Sequence, residues 1–307
     1  MLQSSRQSRL WRRVWKAKYL YLMFFPVMLY YISFRYMPMI GLAIAFKDFN
    51  VFLGFAKSKY VGFKFFNQFF ESIYLWRLVR NTLLINLYDL LFNFPAAIIF
   101  ALMLNEVRNK HYKKLAQTIT YMPYFISSVV IASMLVQFLS PSSGLINHLI
   151  EALGGKRTYF MTQPSSFRTI YTLMSTWKNI GWNSIIFLAA ISGISPELYE
   201  ACIVDGGGHW RRMWHVTLPG LSATIVIMLI MRLGHVMDAG YETILLLQNS
   251  ANLETSDVIG TYVYRRGLKG GEYSYTTAVG MFQSVIGFSL VIFGNYLSRR
   301  YSETSLW

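Results

Sequence analysis

Long apolar stretches alternate with short polar ones along most of the chain. A helix that crosses a bilayer needs about 20 mainly apolar residues, and six stretches reach that length: 19–44, 79–104, 115–139, 168–192, 219–247 and 275–297. The first is interrupted by Arg35, and the fourth by Arg168, Lys178 and Asn179. The pattern therefore predicts an all-α, polytopic membrane protein with about six transmembrane helices.

A polar hairpin separates the fourth and fifth predicted spans, over residues 195–219. Ser195 can cap a helix that starts with Pro196 and Glu197, so we expect a short helix over 196–204. Gly206–Gly208 then allow a reversal, and a second short helix is expected over 209–217. Pro219 suits the first turn of the next long helix, because its missing N–H would be unpaired there anyway.

Composition supports a membrane setting and one domain. Of the 307 residues, 54% are hydrophobic and only 14% are charged, against about 25% charged residues in ordinary soluble domains. No linker rich in Ser, Gly or Pro divides the apolar series. We expect a basic N-terminal tail over 1–18, a transmembrane domain over 19–298 and a short C-terminal tail over 299–307.

Basic residues indicate the orientation. They cluster in the N-terminal tail and in the loop after the second span, at Arg6, Arg9, Arg12, Arg13, Lys16, Lys18, Arg108, Lys110, Lys113 and Lys114. The positive-inside rule places both segments in the cytoplasm, and with six spans both termini and the hairpin lie there. The net charge of +15 is spread over both sides of the membrane, which favours anionic lipid headgroups over nucleic acid as partners.

Catalytic and metal-binding motifs are missing from the sequence. The fragment nearest to a phosphate-binding P-loop, residues 154–157, lacks the earlier glycine and the hydroxyl residue after the lysine. Five histidines show no H-E-x-x-H pairing, and no G-x-S-x-G is present. Cys202 is the only cysteine, which excludes an intrachain disulfide and a cysteine-cluster metal site. We therefore predict that the chain is not an enzyme and holds no metal or cofactor of its own.

The hairpin resembles the docking loop of binding-protein-dependent ABC permeases. That loop reads Glu-Ala-Ala, two variable residues and Asp-Gly-Ala, then about ten residues to an aliphatic-x-Leu-Pro ending, and the matching positions here are Glu200, Ala201, Asp205, Gly206, Val216, Leu218 and Pro219. Cys202, Gly207 and Met213 depart from the pattern. The segments that resemble the carbohydrate group of these permeases are Tyr19–Tyr31, Gly41–Asn50, Asn81–Tyr88, Ala101–Arg108, Thr261–Leu268 and Ser305–Trp307.

This resemblance implies an importer subunit in a bacterial plasma membrane. It implies that the hairpin docks on a separate ATPase dimer, which binds ATP and Mg, and that a second permease and an extracytoplasmic solute-binding protein complete the assembly. Glu200 would make a charge contact with the ATPase, Asp205 and Gly206 would form the turn, and Pro219 would join the hairpin to the fifth span. The expected substrate is an oligosaccharide, such as an acidic fragment of pectin or alginate-like polymers.

Other interpretations stay open on the sequence alone. Glu200 and Asp205 could merely solvate an exposed loop. The chain could import a different solute, such as an amino acid or phosphate. It could also be a membrane scaffold that transports nothing and binds lipids or partners through its basic tail.

Polar residues within the predicted spans are candidates for a substrate path, because each is costly there and tends to face a cavity or another helix. The candidates are Asn86, Asp89, Asn93, Asn183, His235, Asp238, Tyr241 and Glu242, with Gln137, Lys178, Asn179, Trp182 and Arg232 as further polar or aromatic groups. Residues 86, 89 and 93 share a helix face by spacing, as do 235, 238 and 242. Hydrogen bonds between helices are the competing explanation for any one of these residues.

Overall fold

A computed structural model describes residues 15–301. Its α-helices are α1 Lys18–Tyr31, α2 Gly54–Lys57, α3 Lys64–Phe70, α4 Leu75–Tyr88, α5 Phe94–Glu106, α6 Lys110–Phe125, α7 Ser128–Phe138, α8 Leu145–Ala152, α9 Pro164–Ser192, α10 Pro196–Val204, α11 His209–Arg212, α12 Leu218–Gly234, α13 Tyr241–Leu247, α14 Leu253–Ser256, α15 Ile259–Val263 and α16 Tyr273–Tyr301. The predicted tails over 1–18 and 299–307 lie largely outside the described residues.

Other regular elements are short. Wide π-helical turns cover Ile32–Tyr36, Asp89–Asn93, Met213–Thr217 and Tyr264–Lys269, and 3-10 helices cover Met37–Phe46 and Phe160–Thr162. Strands β1 (Lys47–Asp48) and β2 (Lys59–Tyr60) pair antiparallel, with Lys47 opposite Tyr60.

Several helices are long and apolar enough to cross a membrane. Within residues 15–301 four continuous helices qualify: Lys18–Phe46, Leu75–Glu106, His209–Gly234 and Tyr273–Arg300. Two bent pairs qualify only when both arms are taken together: α6 with α7, at 97°, and α9 with α10, at 72°. The predicted all-α, polytopic membrane class is confirmed, with four to six spans according to how the bent pairs are counted.

The third predicted span, 115–139, is not one straight helix. α6 ends at Phe125, and α7 starts in a new direction at Ser128. The Ser127 hydroxyl accepts a hydrogen bond from the backbone N–H of Val130 at 3.3 Å and so caps α7. Hydropathy does not register such a break, because only two serines interrupt the apolar residues on either side of it, 124–126 and 129–131.

The fifth predicted span, 219–247, is wrong at its C-terminal end. α12 stops at Gly234, and the chain turns before α13 begins at Tyr241. Gly240 has a φ of +56°, a left-handed conformation that favours glycine. His235, Asp238 and Glu242 therefore do not share a helix face, and that expectation was wrong.

Three of the π-helical turns end two residues before a proline, namely Pro38, Pro95 and Pro219. A proline in a helix has no N–H to donate, and its ring collides with the carbonyl four residues earlier. A widened turn makes room for the ring and lets the helix continue. For this reason the predicted separate helix over 209–217 does not end at Thr217 but runs on into α12 as one helix, His209–Gly234.

The apolar core consists of three clusters spread along the length of the helices. The first includes Phe69, Leu78, Ile259 and Val279, the second Ile85, Ile131, Phe167 and Val258, and the third Ala97, Ala101, Phe187 and Leu221. Along the helix 75–106 and along α9, the second and third clusters are separated by a polar stretch around residues 89–93 and 175–183. That stretch contains several of the candidate path residues.

Candidate functional site

The first arm of the hairpin is helix α10, as predicted from Pro196 to Val204. The Ser195 hydroxyl accepts from the backbone N–H of Glu197 at 3.3 Å, which satisfies one of the free donors at the helix start. At the other end, Gly206 N–H donates to Ile203 O at 2.9 Å and Gly207 N–H to Cys202 O at 2.7 Å. This pair of bonds is a Schellman motif, which closes the helix and reverses the chain.

The three glycines of the reversal are not equivalent. Gly206 has a φ of +76°, where a side chain would be strained. A Cβ on Gly207 would lie 2.4 Å from Cys202 Sγ, whereas a Cβ on Gly208 would meet nothing within 4 Å. Only the first two glycines are therefore required by the geometry, a distinction that sequence reasoning missed.

A hydroxyl pair joins the two arms of the hairpin. The Tyr199 hydroxyl on α10 lies 3.1 Å from the Thr217 Oγ1 of the π-helical turn, and Thr217 is buried. This brace was not among the predicted site residues, because nothing in the local sequence marks either residue as part of a pair 18 positions apart. It fixes α10 against the long helix 209–234.

The tip of the hairpin is exposed. Glu200, Ala201, Asp205 and Gly206 all lie at the surface, and within residues 15–301 no ion pair involves either acidic side chain. Apolar side chains are exposed beside them, at Leu198, Ile203 and Val204, the last at 86%. Exposed apolar groups rimmed by charge are typical of a protein-binding surface. Leu218 and Pro219 lie away from this tip, at the start of α12.

Polar side chains of three helices meet between the second and third apolar clusters, and we call this set the polar seam: Asn86, Asp89, Asn93, Ser175, Asn179, Asn183 and Arg232. Arg232 on α12 forms an ion pair with Asp89. Asn93 Nδ2 and the Ser175 hydroxyl donate to Asp89 Oδ1 at 2.9 and 3.3 Å. Asn183 Nδ2 reaches Asn93 Oδ1 at 3.4 Å. The seam joins the helix 75–106, α9 and α12.

A cavity of about 200 Å³ adjoins the seam. Five of the predicted path residues line it, namely Asn86, Asp89, Arg232, His235 and Asp238, together with Tyr171 and Ser175. Ligand pockets usually measure about 300 Å³ or more. In this conformation the cavity has room for one polar group of a substrate and not for a whole sugar chain.

The remaining predicted residues lie elsewhere. Tyr241 and Glu242 are exposed on α13, and the Tyr241 ring lies 6.3 Å from that of Tyr264. Trp182 stacks on Tyr124, with ring centroids 4.4 Å apart. Lys178 donates to the Ser128 hydroxyl at 3.0 Å. These contacts agree with the competing explanation, in which intramembrane polar and aromatic groups bind neighbouring helices.

A second charged cluster surrounds Asp257, which is fully buried. Arg77 and Arg265 donate to its two carboxylate oxygens at 2.9 and 2.6 Å. Asn81 bonds the backbone oxygen of Asp257 at 3.0 Å and accepts from Arg168 at 2.8 Å. Asp257 is not marked by any motif in the sequence and was not among the predicted site residues, although it is one of only two acidic residues between 243 and 271.

The chain is similar to membrane components of binding-protein-dependent transport systems. The sequence pattern of the family described as "Binding-protein-dependent transport system inner membrane component" matches residues 93–303. Protein LplB of Bacillus subtilis is 44% identical over 95% of this chain and 92% of its own length. The polygalacturonan/rhamnogalacturonan transport system permease protein YteP of Bacillus subtilis is 40% identical over 100% of this chain and 96% of its own.

A more distant relative and a solved structure extend the comparison. The sn-glycerol-3-phosphate transport system permease protein UgpA of Yersinia pestis is 27% identical over 80% of this chain and 81% of its own length. One chain in the crystal structure of a bacterial alginate ABC transporter, in complex with alginate pentasaccharide-bound periplasmic protein, superposes with a TM-score of 0.89. It is 43% identical and covers 97% of this chain and 100% of its own.

Proposed function

Because the chain belongs to the family of binding-protein-dependent transport system inner membrane components, we propose that it is one of two permease subunits that together form the path of an acidic oligosaccharide. It is a multi-pass membrane protein with a transport role and not an enzyme. The proposal rests above all on the likeness, over nearly the whole chain, to a permease of an alginate importer.

The acidic character of the substrate is supported by two of the relatives. The solved transporter was crystallised with an alginate-bound periplasmic protein, and YteP is named for polygalacturonan and rhamnogalacturonan. Within this chain, Arg232 is the cation of the polar seam, and 38% of its side chain is exposed. We propose that a carboxylate of the passing sugar contacts Arg232 in place of Asp89.

The hairpin is the proposed docking site for a cytoplasmic ATPase dimer, which would bind ATP and Mg. Glu200 and the apolar residues beside it supply an exposed charge and an exposed apolar surface on a helix that is capped by Ser195 and held against Thr217 by Tyr199. Closure of the ATPase on ATP would push on this hairpin and rock the helix 209–234 as a rigid body. Such a movement changes the relative positions of Arg232 and Asp89.

The distribution of basic residues supports one orientation in the membrane. We propose that both termini and the hairpin are cytoplasmic, and that a solute-binding protein delivers the oligosaccharide to the opposite face. A second, distinct permease would complete the path, since the cavity within this chain, at about 200 Å³, is too small for a sugar chain.

Uptake by cells provides the test. A strain in which the gene for this chain is deleted and then restored is given labelled oligogalacturonate, a neutral oligosaccharide of equal length, or sn-glycerol 3-phosphate. The proposal expects restored uptake of the acidic oligosaccharide alone. Rescue by sn-glycerol 3-phosphate would favour the function named for UgpA. If deletion changes no uptake at all, the transport proposal fails and a scaffold becomes the better explanation.

A further inference from the structure

An apolar groove lies between α5 and the first half of the helix 209–234. Its volume is about 1010 Å³. Ile98, Leu102 and Met103 line one wall, and Met213, Trp214 and Leu218 line the other. Both walls belong to helices that are long and apolar enough to cross the membrane.

One end of the groove carries an excess of positive charge. Arg108 and His209 stand at this mouth beside Glu106, and Arg212 Nη2 lies 2.8 Å from His209 Nδ1. The same Nδ1 lies 2.7 Å from Glu106 Oε2. An Nδ1–H that donates to Glu106 cannot accept from Arg212 as well.

Neither arginine has an acidic partner at the mouth. The carboxylate of Glu106 is engaged by His209, and the ion pairs among residues 15–301 include none for Arg108 or Arg212. Arg108 Nη2 reaches only His209 Nε2, at 3.4 Å. Two guanidinium groups therefore remain available to an anion just beyond the C-terminal end of α5.

We propose that this groove binds an anionic phospholipid, with its acyl chains along the apolar walls and its phosphate between Arg108 and Arg212. Basic pockets between transmembrane helices are known to hold anionic headgroups, and Trp210 and Trp214 are the residue type that concentrates at the headgroup level. An acyl chain matches the apolar walls of the groove, and the phosphate matches the charge at its mouth.

A lipid bound in this groove would contact the hairpin as well as the body of the protein. α11, which carries His209 and Arg212, is the second arm of the hairpin. A phosphate held by Arg108 after α5 and by Arg212 on α11 would tie the hairpin to the body of the protein. Binding of the lipid does not depend on the identity of the transported solute, so its test is separate from the uptake test.

Fluorescence quenching by brominated lipids measures occupancy of the groove. The full chain, purified with its co-purifying subunits, is placed in vesicles that contain either phosphatidylglycerol or phosphatidylcholine with brominated acyl chains, at equal mole fractions. Trp214 lines the groove. The quenching that is due to Trp214 is the difference between the quenching of the unaltered chain and that of the Trp214→Phe variant. We expect brominated phosphatidylglycerol to quench Trp214 more strongly than brominated phosphatidylcholine.

Matched double variants identify the headgroup contact. Arg108→Gln with Arg212→Gln should reduce the preference for phosphatidylglycerol by about five-fold for each cation removed. Lys110→Gln with Lys114→Gln removes the same charge from the neighbouring α6, where both lysines are exposed, and should leave the preference largely unchanged.

Other results would overturn the proposal. Equal quenching by the two lipids would mean ordinary, unselective contact with the bilayer. No quenching of Trp214 by either lipid would mean that another protein chain covers the groove. An equal loss of preference in both double variants would mean a general charge effect and no defined site.

Discussion

Glu200 projects from the exposed side of α10 and has no ion-pair partner within residues 15–301. Replacing an exposed residue of this kind usually changes the free energy of unfolding by less than about 0.5 kcal/mol. If Glu200 pairs with a basic residue of the ATPase, however, Glu200→Ala removes one half of an interface charge pair, which costs about 2 kcal/mol or more of docking free energy. We expect normal insertion and thermal stability but at least a tenfold loss of transport.

Glu197→Ala is the matched control, because Glu197 is another exposed glutamate on the same helix. Transport and recovery of the ATPase on purification are measured for both variants. Undiminished transport in Glu200→Ala, or an equal loss in Glu197→Ala, would remove Glu200 from the docking surface.

Arg232 provides a test of the substrate path. In Arg232→Gln the seam keeps a hydrogen-bonding group but loses its cation, and the loss of a hydrogen bond to a charged group is worth about 1.5–3 kcal/mol. We expect uptake of an acidic oligosaccharide to fall about tenfold or more, with Arg232→Lys intermediate.

Arg232→Gln leaves the Asp89 carboxylate without its ion-pair partner, which could disturb folding, so a control variant is required. Asp89→Asn with Arg232→Gln removes both charges and with them the structural cost of an isolated carboxylate. If the double variant recovers folding but not acidic uptake, Arg232 contacts the substrate. Recovery of both would mean that the pair is purely structural.

Single residues could be picked out from the sequence where their chemistry alone marks them, and their role in a substrate path stays a prediction. A polar residue in an apolar span is visible in the sequence, and Asn86, Asp89, His235 and Asp238 do meet at one cavity. Asp257 could not be ranked above other loop acids, because its burial depends on Arg77, 180 positions away. The pair formed by Tyr199 and Thr217 could not be predicted for the same reason, because its two residues are distant in the sequence.

Among the elements, the reversal of the hairpin gives the sharpest prediction. Gly206→Val places a β-branched residue at a φ of +76°, where strain costs about 1–3 kcal/mol. We expect the turn to distort and ATPase activity to become uncoupled from transport. The measurement is ATP hydrolysed per oligosaccharide imported in reconstituted vesicles.

Gly208→Val is the control for the same substitution, because Gly208 has an ordinary negative φ of −72° and no atom within 4 Å of its Cβ position. In Gly208→Val, ATP hydrolysis should remain coupled to transport. Normal coupling in both variants would show that the turn does not need a glycine.

Helix boundaries could be predicted where local capping residues set them. The predictions were wrong where contacts with other parts of the fold set the boundary. The limits of α10 follow from Ser195, Pro196 and the glycines, and they match the structure. The bend at Ser127 has a capping residue that could have been noticed, but it lies inside an apolar run. Pro219 does lie in the first turn of α12, as predicted. The sequence did not reveal that the π-helical turn before it lets the segment 209–217 continue into α12 without a break.

For the molecule as a whole, the central feature is the continuity of the helix 209–234. It begins in the hairpin and carries Arg232 near its other end, about 35 Å away at 1.5 Å per residue. One rigid element thus joins the proposed ATPase contact to the polar seam. A push on the hairpin can reach the ion pair of Arg232 and Asp89 without any change in helical structure.

Purification of the tagged chain from its native membrane in mild detergent tests the importer assignment most directly. Co-purifying chains are identified by mass, the eluate is assayed for ATP hydrolysis, and a crosslinker is attached at Cys202, the only cysteine in the sequence and part of α10. We predict recovery of a second permease and an ATPase that crosslinks to the hairpin. A folded chain that is recovered alone, without ATPase activity even after crosslinking, would contradict the account.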